Sequence, residues 1–319
     1  MKTSVKNKIV EGTTKSSLHN TLENSPSYLN APSLKKFIEQ YKSSDKFNLL
    51  SLSGGKWLIP ECQKRYFFTV LAKAIYNDEK NLNYIEYPLK GSNKVIIDVD
   101  IEQKTSKRIY TKTTIEKLLT LYHNEITKYS NKTINFIISE KDKPTKKDNT
   151  YKDGFHAIIP DIRLSVKILK EIRSNVIESL NGLFDNPKII NSKENIIDEA
   201  IISSNGWLPI GCYKPTRKPY QITFLFSDKK LSLFNMNSIT DYSGFLYQMS
   251  LWTGELEENE EIDEEVYETQ NVTYTKEHII DKKEHIIKSF LLHPLLHPPE
   301  YYIVFFFINN ILIFLSINN

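Results

Sequence analysis

Cysteine is scarce in this chain: Cys62 and Cys212 are the two present, far apart and outside any CxxC pair. That excludes a disulfide framework and a thiolate zinc site, and it fits a reducing compartment. A charge excess of one sign is also lacking, since 42 Lys and Arg against 39 Asp and Glu leave a net charge of +3. No global basic field marks a nucleic-acid partner, so any such surface has to be local. The opening residues Met1, Lys2 and Thr3 lead into a Lys-, Ser- and Asn-rich stretch without an apolar run. A secretory signal is therefore excluded, and the sequons at Asn131 and Asn271 carry no meaning. No repeat at a solenoid period is visible. Ser53-Gly54-Gly55-Lys56 lacks the spacing of a Walker loop. His293 and His297 sit four apart, but Pro294, Pro298 and Pro299 break the helix that would present them to a metal.

What is present organises a chain of 319 residues into one enzyme-sized domain with appendages. Residues 1–45 are poor in large apolar side chains and are expected to form a disordered N-terminal arm. Residues 46–250 carry the alternating elements of a folded domain. An apolar periodic stretch from Tyr66 to Ile75 predicts a helix, and the β-branched run from Lys94 to Ile101 predicts a buried strand. Thr113 and Glu116 offer a capping box for a helix burying Ile115, Leu118, Leu119, Tyr122, Ile126 and Tyr129. Strands are expected over Thr133–Ser139 and Gly154–Pro160, then a helix capped by Ser165 through Leu169, Ile172 and Val176. Further strands are expected at Ile196–Ile202, Trp207–Ile210 and Tyr220–Phe226. This order predicts an α+β domain with a split βαβ, mostly antiparallel sheet flanked by helices. Residues 251–300 open strongly acidic and predict a solvated linker or helical segment. Residues 301–319 form a hydrophobic tail, long enough as a helix to span a bilayer, though Asn309 and Asn310 interrupt it and no cationic flank supports a membrane partner.

The chemistry-bearing residues lie on the expected strands. Asp98 and Asp100 alternate with apolar neighbours and so project on one face, roughly 6 to 7 Å apart, where they can share metal ions. By itself such a pair fits equally well two exposed acids or a structural ion pair. His156, within Lys152-Asp-Gly-Phe-His-Ala-Ile-Ile-Pro160, is placed by a strand, and only its company raises it above a structural histidine. Asp198 and Glu199 face opposite ways, with Asp198 expected to be the inward one. Lys214, Arg217 and Lys218 belong to a Gly- and Pro-punctuated loop that can present cations to phosphates. Cys212 reads as a small buried residue because no partner base is evident.

Taken in order, a hydrophobic-Asp-hydrophobic-Asp strand, a small-x-His strand and a later hydrophobic-Asp segment resemble the three motifs of the archaeo-eukaryotic primase superfamily. The phrases Gly55-Lys-Trp-Leu-Ile-Pro60, Lys94-Val-Ile-Ile-Asp-Val-Asp100, Lys152 to Asp161 and the loop from Trp207 to Tyr220 resemble the primase domains of nucleocytoplasmic large DNA virus primase-helicases. The resemblance covers residues 47–250. It implies a template-directed nucleotidyltransferase that makes primers on single-stranded DNA from nucleoside triphosphates by two-metal phosphoryl transfer. Asp98, Asp100 and Asp198 would hold two Mg²⁺ or Mn²⁺ ions. His156 and Gly154, with Lys214, Arg217 and Lys218, would face the phosphates.

A replicative helicase partner, in trans or lost in cis, is implied because relatives of this kind continue into one. The chain then reads as a free-standing primase or as a truncated gene. Its place would be intracellular, at a viral replication site in the host cytoplasm. Two rivals remain: another metal-dependent transferase with a DxD strand, which would need no template, and an impaired copy that binds nucleic acid without catalysis.

Overall fold

The computed structural model describes residues 30–88 and 90–256, together with two strands at 302–308 and 311–317. The packed body begins earlier than its composition suggests. Helix α1 (Leu34–Glu39) is capped by Ser33 and buries Leu34, Phe37 and Ile38. These positions are i, i+3 and i+4, one apolar stripe on a single helical turn, short enough to be lost among polar neighbours. The boundary expected at residue 45 is thus corrected toward Ala31, which is also buried. Residues 1–29 lie outside the described ones.

A small antiparallel sheet follows, ordered β2-β1-β3, from β1 (Leu49–Ser51), β2 (Lys56–Trp57) and β3 (Tyr84–Glu86). Helix α2 (Glu61–Tyr76) joins its second and third strands. It starts five residues before the periodic stretch, where extended Pro60 ends and Glu61 complements the positive helix terminus. Phe67 and Phe68 of α2 meet each other edge-on and both contact Trp252, tying the start of the body to its end.

The main sheet is built from β4 (Ser92–Gln103), β5 (Phe136–Glu140), β6 (Thr145–Lys147), β7 (Thr150–Ser165), β8 (Gln221–Ser227), β9 (Lys230–Leu233) and β10 (Glu255–Leu256). Ile158 of β7 pairs with Ile96 of β4 and with Ile137 of β5, so β7 is central between them. β8 and β9 continue beyond β5, and all pairings are antiparallel except β10 on β7. Helix α3 (Lys112–Ile126) connects β4 to β5, and α4 (Val166–Glu178) follows β7, giving the split βαβ order. α4 packs on β4 and β7 and against α3. Val99, Ile101, Phe155 and Ala157, at alternate positions, are fully buried in the core.

The buried stripe of α3 is Ile115, Leu118, Leu119, Tyr122 and Ile126, as its spacing predicts, but the helix ends at Ile126, so Tyr129 lies beyond it and is half-buried. Its cap is Thr111 rather than Thr113: the Thr111 hydroxyl accepts from the Thr114 N–H at 3.2 Å, and the Thr114 hydroxyl accepts from the Thr111 N–H at 3.1 Å. Two expected strands are absent. Ile196–Ile202 folds as short helices α5 (Lys193–Ile196) and α6 (Ala200–Ser203) around a single bridge of Ile197 to Val99. Trp207 makes one bridge, to Glu86, and no strand. Apolar runs of this length fit either secondary structure, and the neighbouring chain decides.

Helix α7 (Tyr242–Gln248) precedes β10, and Leu251 and Trp252 are core residues, so the body continues past residue 250. The acidic stretch from 257 to 300 lies outside the described residues. In a separate unit, strands β11 (Tyr302–Ile308) and β12 (Ile311–Ile317) pair antiparallel from Tyr302↔Ile317 to Ile308↔Ile311. The tail is therefore strand rather than the helix its length allowed. Among the described residues no helix is long and apolar enough to cross a membrane.

Candidate active site

The pairing of β4 with β7 sets Asp98 opposite His156, Asp100 opposite Gly154 and Glu102 opposite Lys152. Directly opposed residues of an antiparallel pair share a face. All six therefore stand on the face turned away from the core residues Val99 and Phe155. The close approach of the strands requires glycine at 154. With φ at +154°, a Cβ there would stand 1.8 Å from the Val99 carbonyl oxygen and 3.3 Å from the Asp100 Cα.

Asp198 reaches the same place from a different element. Its backbone N–H donates to the Asp98 carbonyl at 3.0 Å, pinning the α5–α6 connection beside β4. Its carboxylate accepts from the Ala200 N–H at 2.9 Å and from the Asn205 amide at 3.1 Å. Glu199 turns away to Arg173 at 3.0 Å and Lys170 at 3.2 Å. The choice of Asp198 over Glu199 as the inward acid thus agrees with the geometry, although the segment is no strand.

His156 is buried, with its ring stacked on Tyr220 at 3.8 Å between centroids and 4.5 Å from that of Trp207. Its Nε2 stands 3.4 Å from Asp98 Oδ1. Burial, helped by Lys141 and Lys214, pushes the imidazole down to about 3, so it is neutral near pH 7. Sequence reading does not anticipate the two rings that fix its plane, because their contacts with His156 are set by tertiary folding.

These residues line a cleft of about 960 Å³. Lys214, Arg217 and Lys218 line it too, with Lys218 paired to Asp142 at 3.1 Å. Two cations that sequence analysis missed lie closer to the acids. Lys141 and Lys152 approach the two oxygens of Asp100 at 3.1 and 2.7 Å. Lys152 was legible, since it is two residues before Gly154 and four before His156 on one strand face. Burial would raise the Asp100 carboxyl, but Lys141 and Lys152 outweigh it and hold the group below its ordinary value. For Asp98, burial dominates and raises it to about 7; Asp100 and Asp198 push the same way against Lys141 and Lys214.

The acids fit a hard divalent cation in kind, since carboxylate oxygens are its preferred ligands. The ammonium groups already drawn to Asp100 mark where positive charge is wanted. They are not assembled as a cage: among the described residues no group of three or more His, Cys, Asp or Glu is placed to hold one ion. A cation at Asp100 would compete there with Lys141 and Lys152, while Asp198 keeps a lone pair on each oxygen beside its bonds to Ala200 and Asn205.

Residues 48–226 match the family model described as the C962R protein N-terminal AEP domain, AEP standing for archaeo-eukaryotic primase. The chain is also 30% identical over 180 residues to the Acanthamoeba polyphaga mimivirus protein named "Putative helicase L207/L206". That match takes in 54% of this chain and 18% of the mimivirus protein, so the chain spans less than a fifth of that relative's length. With more than half of its residues matched, the α+β chain described above belongs to the archaeo-eukaryotic primase-like family of the C962R N-terminal AEP domain.

Proposed function

We propose that the chain is a DNA-directed primase, a nucleotidyltransferase that assembles primers on single-stranded DNA from nucleoside triphosphates during viral DNA replication. The observation that carries the reading is the pairing of Asp98 with His156 on one face of β4 and β7, with Asp198 bonded alongside, in a cleft rimmed by lysines. Asp98, Asp100 and Asp198 would hold two Mg²⁺ or Mn²⁺ ions, which when bound activate an attacking hydroxyl and offset charge on departing pyrophosphate.

The chain's own groups have separate tasks. The neutral His156 imidazole can donate one N–H to a phosphate oxygen, with Tyr220 and Trp207 holding its plane. Lys141 and Lys152, released from Asp100, can turn their ammonium groups to a triphosphate, as can Lys214, Arg217 and Lys218 at the rim. Gly154 keeps β4 and β7 close enough for Asp98 and His156 to face the same phosphate. A replicative helicase would open the template, and the work would take place at an intracellular replication site.

The test is incorporation of labelled nucleotides by the purified chain on single-stranded DNA with Mg²⁺ or Mn²⁺, beside an Asp98→Asn control. Short template-dependent products absent from the control are expected. A folded chain that makes none with either metal, or whose products ignore the template, would overturn the reading.

A further inference from the structure

The cleft lining is chemically mixed. Besides the lysines and acids it includes Leu52 from the β1–β2 turn, Ile85 of β3, and Tyr87. From Tyr87 an aromatic surface leads out of the cleft. Phe47 meets the Tyr87 ring edge to face at 5.0 Å, and the Lys56 ammonium stands 4.7 Å over the Phe47 ring. Phe47 and Lys56 are not part of the cleft lining. Leu52 and Leu58 beside them are 39% and 43% exposed.

The surface is held rigidly. The Tyr87 N–H donates to the Asn48 carbonyl at 3.0 Å, and the Asn48 side chain both donates to and accepts from the Ile59 backbone at 2.9 Å. Gly55, with φ at +108°, lets the hairpin tip lie on Trp57, whose ring would stand 2.4 Å from a Cβ at that position. Lys56 is exposed, and among the described residues it has no carboxylate partner.

We infer that Tyr87, Phe47 and Lys56, with Leu52, form a track along which the single-stranded template stacks its bases on the way into the cleft. The inference rests on the primase reading and names the surface through which the template enters. Aromatic faces interleaved with a cation suit single-stranded nucleic acid, because every base has a face to stack and every linkage a negative phosphate. An incoming nucleotide is confined to the cleft and would not use Phe47 or Lys56. The Gly55-Lys-Trp motif, unused by the catalytic site, thereby acquires a role.

The test uses the full chain without metal or nucleotide and follows fluorescein-labelled oligothymidylate by anisotropy. Phe47→Leu with Tyr87→Leu keeps the apolar volume and removes the rings. Binding should weaken about tenfold or more, as expected for the loss of base stacking worth about 1–3 kcal/mol per base. Lys56→Gln should lower affinity less and flatten its salt dependence. Affinity for a labelled nucleoside triphosphate should be unchanged in Lys56→Gln, since Lys56 lies outside the cleft lining.

Unchanged DNA affinity in the double leucine variant, folded by its melting curve, would overturn the inference. So would loss of nucleotide affinity with DNA binding intact. The exposed Lys56 provides a variant that does not perturb the core, and an unaltered salt slope there would count equally against the track. Because binding is read without synthesis, a chain that uses the track but makes no product would sink only the primase reading. Synthesis undisturbed in a chain with a neutral track would sink only the track.

Discussion

Gly154→Ala puts the site's main geometric requirement to the test. The added methyl would sit 1.8 Å from the Val99 carbonyl oxygen and 2.9 Å from its carbon, both rigid backbone atoms of a paired strand. Ordinary contact needs more than an ångström of further separation, and β4 cannot give it without disturbing the register at Asp98 and Asp100. Overpacking of this kind costs about 1–3 kcal/mol, and a side chain at positive φ adds about 1–2 kcal/mol. A total of about 3 kcal/mol should lower the melting temperature by roughly 6–12 °C. The chemical consequence should be larger, since displacing the acids by about an ångström costs on the order of a hundredfold in rate. Gly182→Ala is the control: its φ is +73°, yet nothing lies within 4 Å of a Cβ there, so only the backbone term applies. Melting curves and labelled-nucleotide incorporation on both variants decide the matter. A Gly154→Ala chain that melts and incorporates like the parent would refute the close-approach argument.

Burial raises the Glu86 carboxyl from 4.5 to about 7, against opposing bonds from the Ser250 hydroxyl and the Leu251 N–H. A raised carboxyl contributes stability that is complete below pH 4.5 and is lost as pH climbs through 7. Glu86→Gln keeps an acceptor oxygen and removes that loss. Its unfolding free energy, from denaturant melts, should therefore gain on the parent between about pH 5 and pH 8, by on the order of 3 kcal/mol, and a difference flat with pH would show Glu86 ionised throughout. His156→Ala should raise the nucleotide KM severalfold while leaving oligonucleotide affinity near the parent value, with the reverse pattern placing the imidazole on the template instead. Joint replacement of Lys141 and Lys152 by alanine should weaken triphosphate binding at least tenfold, read by titration of a labelled nucleotide, and should lower the melting temperature because the partly buried Asp100 loses both its cations. Parental nucleotide affinity in that variant would remove both lysines from the phosphate site.

Sequence alone determined whatever depends on neighbours along the chain. The period of two placed Asp98 with Asp100 and set His156 against Phe155, and the 3.6-residue period named the buried face of α3 correctly. The same period of two holds Lys152 on the His156 face. Tertiary structure decided whatever depends on residues distant in sequence. Asp198 enters the site through its N–H on the Asp98 carbonyl from a helical connection, where the apolar run had promised a strand. Tyr220 and Trp207 close on His156, and Lys141 reaches Asp100, from segments joined to β4 and β7 only by folding. Helix α1 is stable because Phe37 finds Phe67 and Tyr66, not because its six residues are strongly helical. Local periodicity fixes which face a side chain takes. Which partner it meets there is fixed by long-range pairing, and a single chain of letters does not encode that pairing at any readable spacing.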